Sequence, residues 1–243
     1  MVDNTLFYMW DPERKNFIDS HNFFVSQAKK RVLSQFDNIE DEVKDREKEW
    51  LGSLDHDSYS ESYDIADLYE WIHQQSLEQS FMLYELRHQM LLSIVAGMYH
   101  QWDKQLRVWL EREAREWGYN VVNSEIWKKD IGCIYELFKY CEWDVESEEF
   151  FQKLDACRLV VNVHKHGKGV SLDNLKKNYV EYFCGDGENN DLDHTLLFLD
   201  DSHLEEFSDA IIKFWEVIPE RMEESEHKTP PSWILKAINK ENK

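Results

Sequence analysis

Apolar residues recur at helical intervals over most of this chain. From Pro12 to about Trp50, Phe17, Phe24, Ala28, Val32, Phe36, Ile39 and Val43 are spaced by turns or half-heptads, with charges between them. Asp11-Pro12-Glu13 is a helix start signal, with Asp as the cap and Pro at the first helical position. The stretch Asp37 to Glu49 is dominated by charge and reads as the solvated end of that helix. Asp55 to Asp64, rich in Ser, Asp and Tyr, reads as a loop.

The longest periodic segment runs from Ile65 to Trp117 and is apolar on most sides in its middle, which predicts burial by several neighbours. So long a globular helix is expected to break near Gln75–Ser80 or to kink at Gly97, and Gly118 stops it. After a connector through Val121, a helix is expected from Ile126 to Cys141. Another runs from Ser147 to about His164 and is ended by Gly167 and Gly169. A short helix follows at Ser171–Lys177. Thr195-Leu-Leu-Phe-Leu199 is a strand or an extended tether. Ser202 is the expected cap of a helix carrying Phe207, Ile211, Phe214, Trp215 and Ile218, stopped near Pro219. Pro230-Pro231 precede a short amphipathic piece.

Only 8 Gly and 4 Pro in 243 residues leave little material for tight turns, so the elements are long and the fold class is all-α. The length suits one sizeable core. No internal repeat divides the chain; residues 1–60 read as an N-terminal helical arm and 61–243 as a helical domain, or the two as one continuous domain. Trp102, Trp109 and Trp117 form a stripe that reads as core or dimer interface. Cys133, Cys141, Cys157 and Cys184 have no CxxC spacing and read as buried thiols of a reducing compartment. No apolar run is long enough to span a bilayer and no leader pattern opens the chain, so a cytoplasmic protein without a membrane partner is expected.

The formal net charge of -21 disfavours unspecific adhesion to nucleic acid. Against it stands one basic island. Arg158-Leu-Val-Val-Asn162-Val-His164-Lys165-His166-Gly167-Lys168-Gly169 embeds an Arg, an Asn and two His in an apolar helix, and Lys176 and Lys177 follow. Such groups suit phosphate chemistry. Imidazole titrates near neutrality and serves as base or acid, guanidinium presents paired donors to phosphate oxygens, and Asn orients either. RNA cleavage through the 2′-hydroxyl needs those functions and no metal. Arg158, Asn162 and His166 share a face if the helix persists to His166; His164 joins Arg158 only if the helix unwinds early. The plainer alternative is structural, since cations favour a helix C-terminus and bond its free carbonyls.

An Arg followed four to six residues later by His, near the end of a late helix in a small bundle, resembles the HEPN superfamily. Arg158 to His164 has that spacing. Asn162-x-x-Lys165-His166-Gly167 is similar to a variant of the motif in which the second His is the relevant one. Glu85-Leu-Arg87-His-Gln-Met-Leu-Leu with Tyr99-x-x-Trp102 is similar to the long buried helix of such proteins, and the likeness spans Phe81 to Pro219.

The resemblance implies a HEPN-like helical bundle with long central helices. It also implies a metal-independent endoribonuclease of a bacterial defence or toxin–antitoxin system, requiring no cofactor. In it Arg158, His164, His166 and Asn162 would be catalytic, and Lys165 and Lys168 would bind RNA. Active members build their site across a homodimer, and an antitoxin or other partner protein is a further implied partner. Many of them place a polar residue directly after the Arg, where this chain has Leu159. Non-catalytic HEPN modules that bind a partner protein or nucleotide are the second implied class.

Other constellations are weaker. His164, His166, His194 and His203 with Asp191, Asp193, Asp200 and Asp201 lack the spacing of a known metal set, so no metal site is expected. Gly185 to Asp193 has calcium-type residues in the wrong order and reads as an exposed turn. Gly167-Lys-Gly-Val-Ser171 is not a phosphate-binding P-loop, because the preceding strand and the spacing are missing. Glu85 and Arg87 read as support for the Arg–His site, as an ion pair, or as solvated.

Overall fold

The computed structural model describes residues 5–53, 65–117, 120–184 and 192–241. It is all-α apart from one short two-stranded ribbon. The expected loop at 55–64, the stop at Gly118 and the turn at 185–191 lie outside the described residues. Among the described residues no helix is long and apolar enough to cross a membrane.

The helices are α1 (Asp11–Arg31), α2 (Ile39–Gly52), α3 (Ile65–Arg115), α4 (Asn120–Ile126), α5 (Ile131–Tyr140), α6 (Phe151–His166), α7 (Val170–Asn178), α8 (Asp201–Val217) and α9 (Ser232–Glu241). Strands β1 (Thr5–Tyr8) and β2 (Arg221–Glu223), neither of them expected, pair antiparallel. The chain divides into two compact units, residues 1–25 with 95–243, and residues 26–94.

Several boundaries differ from expectation for local reasons. The first helix stops at Arg31; a 3₁₀ turn at Leu33–Phe36 separates it from α2, so the charged stretch is a helix of its own. Trp10, not Asp11, caps α1: its carbonyl accepts from the Glu13 and Arg14 amides. Helix α3 runs unbroken through Gln75–Ser80 and Gly97. At Gly97 the missing side chain makes room for α1, since a Cβ there would stand 3.0 Å from Phe24 Cζ. The helix expected from Ile126 begins at Ile131, because Asp130 caps it by accepting from the Cys133 amide. Likewise α6 begins at Phe151, after a 3₁₀ turn at Val145–Ser147. Thr195–Leu199 is a tether, with a 3₁₀ turn at His194–Leu196 and one bridge from Leu197 to Phe183. Asp200, not Ser202, caps α8, in a capping box completed by His203.

The core of the larger unit is aromatic. Trp102, Trp109, Phe138, Phe207, Phe214 and Trp215 are fully buried. Their rings meet mostly edge-on or tilted, as Trp102 with Phe214 at 5.1 Å and Phe138 with Trp143 at 5.2 Å. The first two members of the expected tryptophan stripe are therefore core. The third, Trp117, is half-buried and donates Nε1–H to the Leu6 carbonyl at 3.0 Å.

Two arginines inside this unit close helix ends. Arg14 Nη1 donates to the carbonyls of Trp215, Glu216 and Ile218 at the end of α8. Arg107 Nη1 donates to those of Ile126 and Lys129 after α4, while its Nε holds Asp103. Each satisfies carbonyls that a helix C-terminus leaves open. His21 of α1 is buried and its Nε2 lies 2.9 Å from Ser208 Oγ of α8.

In the smaller unit α2 runs antiparallel to α3. Asn38 and Ile39 share a cavity of about 390 Å³ with Tyr84 and Arg87, and Glu47 reaches His73 at 3.3 Å. Ile39, Val43 and Ile72 are buried there.

All four cysteines are free. Cys141 and Cys157 are buried, but Cys133 is half-exposed and Cys184 exposed, so the expectation of four buried thiols holds for two.

Candidate functional site: the outward stripe of α6

Helix α6 buries Leu154, Ala156, Cys157, Leu159, Val160, Val161 and Val163 and turns Asp155, Arg158, Asn162, Lys165 and His166 outward. The helix does not unwind early: it includes His166, and the Gly167 amide closes it by donating to the Val163 carbonyl at 2.8 Å. At about 100° per residue, Asn162 lies about 40° and His166 about 80° from Arg158, while His164 lies about 120° away on the other side. Lys165 falls about 20° from Arg158, nearer than either polar partner that the sequence had paired with it. Leu159 turns about 100° from Arg158 into the core, where it is 1% exposed. A polar residue at that position would be buried.

Arg158 is half-buried and is not a free cation. Its Nε and Nη2 donate to Asp155 Oδ1 at 2.9 and 2.6 Å, and Asp155 Oδ2 accepts from the Tyr179 hydroxyl at 3.1 Å. Burial opposes the charged guanidinium, but Asp155, with Tyr99 and Tyr135, outweighs it and keeps the pKa above the ordinary value. Desolvation and the neighbouring carboxylate push the Tyr179 hydroxyl up to about 12. Arg158 differs here from Arg14 and Arg107: none of its described hydrogen bonds goes to a helix carbonyl, so it does not serve as a C-terminal cap.

Asn162, Lys165 and His166 make no side-chain hydrogen bond among the described residues, and both Lys165 and His166 are exposed. His164 is half-buried, and that burial lowers its pKa. The turn after α6 rests on two glycines, with φ +70° at Gly167 and +137° at Gly169, a conformation L side chains rarely adopt. His194 packs against it: a Cβ on Gly167 would stand 3.3 Å from His194 Cδ2. His194 Nδ1 is buried with no hydrogen-bond partner among the described residues. Lys168 is exposed, and its charge helps hold the Asp193 carboxyl below the usual range, behind the larger effect of hydrogen bonds from Thr195.

The structure thus aligns Arg158, Asn162, Lys165 and His166, and sets His164 apart. Asp155, Tyr179 and His194 are additions. Asp155, three residues before Arg158, carried a readable signal, since such pairs face each other on a helix; the other two arrive from distant elements. Among the described residues no three His, Cys, Asp or Glu side chains gather as a metal set, and His203 is held by its own capping box. Comparison with protein-family models, with curated proteins and with solved structures finds no match.

Proposed function

We propose that this protein is a metal-independent endoribonuclease of the HEPN type, acting in the cytoplasm within a bacterial defence or toxin–antitoxin system. The observation that carries the reading is the continuity of α6 to His166, which puts Arg158, Asn162, Lys165 and His166 on one outward stripe. On that stripe Arg158 stabilises the phosphorane charge, with Asp155 and Tyr179 fixing its plane. His166 exchanges the proton of the 2′-hydroxyl or of the leaving oxygen. Asn162 orients the imidazole or the phosphate, and Lys165 and Lys168 hold the RNA backbone. His164 is a weaker choice for this work, because it lies off the stripe.

The test is end-mapping of RNA incubated with the purified protein in chelator. Loss of an acid–base group costs on the order of 10²- to 10⁴-fold, so His166→Ala should remove cleavage on that scale, with Arg158→Ala alike and His164→Ala nearly silent. Wild-type protein that leaves tRNA, mRNA and rRNA intact at every concentration defeats the enzyme reading.

A second reading has its own support. The pairing of Arg158 with Asp155 at 2.6 Å already spends part of the guanidinium. That favours a non-catalytic HEPN-like module in which the stripe recognises a partner protein or nucleotide. Binding of RNA or nucleotide without turnover, abolished by Lys165→Ala, is its signature.

A further inference from the structure

A second cavity lies within the larger unit and shares no residue with the α6 stripe. It has a volume of about 270 Å³ and sits where β1 and the ends of α3 and α5 meet α9 and the segment after β2. Its walls are apolar: Leu6, Leu137, Ile234 and Ile238, with the rings of Trp117 and Tyr140. Pro230 and Pro231 complete them and bring no amide N–H. The Pro231 carbonyl is committed to the first turn of α9, where it accepts from the Ile234 and Leu235 amides.

The polar side chains of these walls are already bonded, with one exception. Trp117 Nε1–H goes to the Leu6 carbonyl, and the Tyr140 hydroxyl donates to Glu224 Oε1 at 2.6 Å. Burial, and then this bond to Glu224, raises the Tyr140 pKa, so the phenol keeps its proton and the carboxylate carries the charge. Glu224 Oε2 makes no hydrogen bond or ion pair among the described residues. Lys228, four residues on, is engaged elsewhere: its Nζ donates to the Lys139 carbonyl at 2.8 Å and to Glu142 at 2.6 Å. The cavity therefore has one charged lining group, a carboxylate fixed by a phenol and without a cation.

We propose that this cavity binds a small primary amine with an apolar body, of the arylalkylamine class. Its ammonium group meets Glu224 and its ring lies against Trp117 and Tyr140. Charge selects that class. An anion is repelled by Glu224 and by the formal charge of -21 on the chain. A neutral apolar molecule covers the carboxylate without pairing it, which costs desolvation with no return. An ammonium group supplies the missing donor, and the two rings attract it further. Size narrows the class, because the volume falls just below the roughly 300 Å³ at which sites for drug-sized molecules begin. One ring on a short chain fits. The site does not depend on the ribonuclease reading.

Nuclear magnetic resonance titration of the isotope-labelled full chain tests it, followed at the Trp117 indole N–H and assigned with Trp117→Phe. Three probes are compared near neutral pH in physiological salt: phenethylamine, phenethyl alcohol and methylamine. Phenethylamine should shift the Trp117 signal saturably, about tenfold or more tighter than the alcohol, the worth of a hydrogen bond to a charged group. Methylamine, with the charge but no apolar body, should leave it in place. Glu224→Gln keeps an acceptor for Tyr140, so the fold stands, and it should bring phenethylamine down to the affinity of the alcohol. Equal affinities of amine and alcohol in wild type overturn the proposal. Amine binding untouched by Glu224→Gln overturns it too, since the ammonium group is then held elsewhere on the acidic surface. A Trp117 signal unmoved by every probe at millimolar concentration refutes it, and leaves the cavity as a void in the packing.

Discussion

His21 ties α1 to α8, and its burial makes the fold sensitive to mild acid. The ring is 2% exposed, and desolvation, offset only in part by Ser208, brings its pKa down from 6.5 to about 4. In the unfolded chain the imidazole titrates at its ordinary value. Above about pH 6.5 both states hold the ring neutral and there is no differential effect. Below it the unfolded state gains a proton that the folded state refuses, so stability falls as pH falls, until the folded ring titrates near pH 4. The whole window is worth about 3 kcal/mol, and the part between pH 7.5 and 5.5 about 1.3 kcal/mol.

Urea unfolding at those two pH values, in wild type and in His21→Gln, isolates this contribution. All other titrations are shared and cancel in the double difference. Wild type should lose about 1.3 kcal/mol more than the variant on acidification, whatever the variant costs at pH 7.5. Equal losses in the two proteins would refute the reasoning, and would mean that the ring is reached by water or finds a carboxylate.

Two glycines give further expectations. Gly167→Ala forces a side chain onto φ +70° and a Cβ to within 3.3 Å of His194. It should cost about 1–3 kcal/mol in chemical denaturation, and loosen the end of α6 that orients His166. At Gly97 two effects oppose each other. Alanine gains about 1 kcal/mol of helix propensity but sets its Cβ 3.0 Å from the half-buried Phe24 ring. Gly97→Ala should therefore change the unfolding free energy by less than about 1 kcal/mol, whereas Gly97→Val should destabilise by about 1–3 kcal/mol.

The helices were legible because their signal is periodic and local. The apolar spacing of α3, the amphipathic α8 and the piece after Pro231 all appear where the sequence puts them. What escaped was decided over distance or by a single competing hydrogen bond. Strand β1 pairs with β2 from the far end of the chain, and four residues carry no periodicity to announce it. Asp130 and Asp200 move helix starts by accepting one or two amides each, where propensity alone favoured other residues. Gly97, readable as a kink, instead answers to Phe24 on another helix.

The stripe of α6 was legible in its register and not in its electrostatics. Helix periodicity alone places Arg158, Asn162 and His166 together once the end of the helix is known, and Gly167 marks that end. Whether Arg158 is a free cation depends on Asp155, which was readable at three residues' distance, and on Tyr179, which α7 delivers from beyond the glycine turn. Arg158 differs from Arg14 and Arg107 in its partners. Those two arginines spend their guanidinium groups on helix carbonyls, the use expected of a structural cation. Arg158 spends its own on a carboxylate that a tyrosine holds in place. On the proposed reading, a cation oriented in this way, partly open to solvent and on the same outward side of α6 as an exposed imidazole, would meet an anion from outside the fold. The pairing with Asp155 would set how strongly it does so, because a phosphate would have to compete with a carboxylate already in place. Binding along this stripe should therefore draw more on the unpartnered Lys165 than on Arg158, whose contribution falls to whatever charge develops after the phosphate is bound.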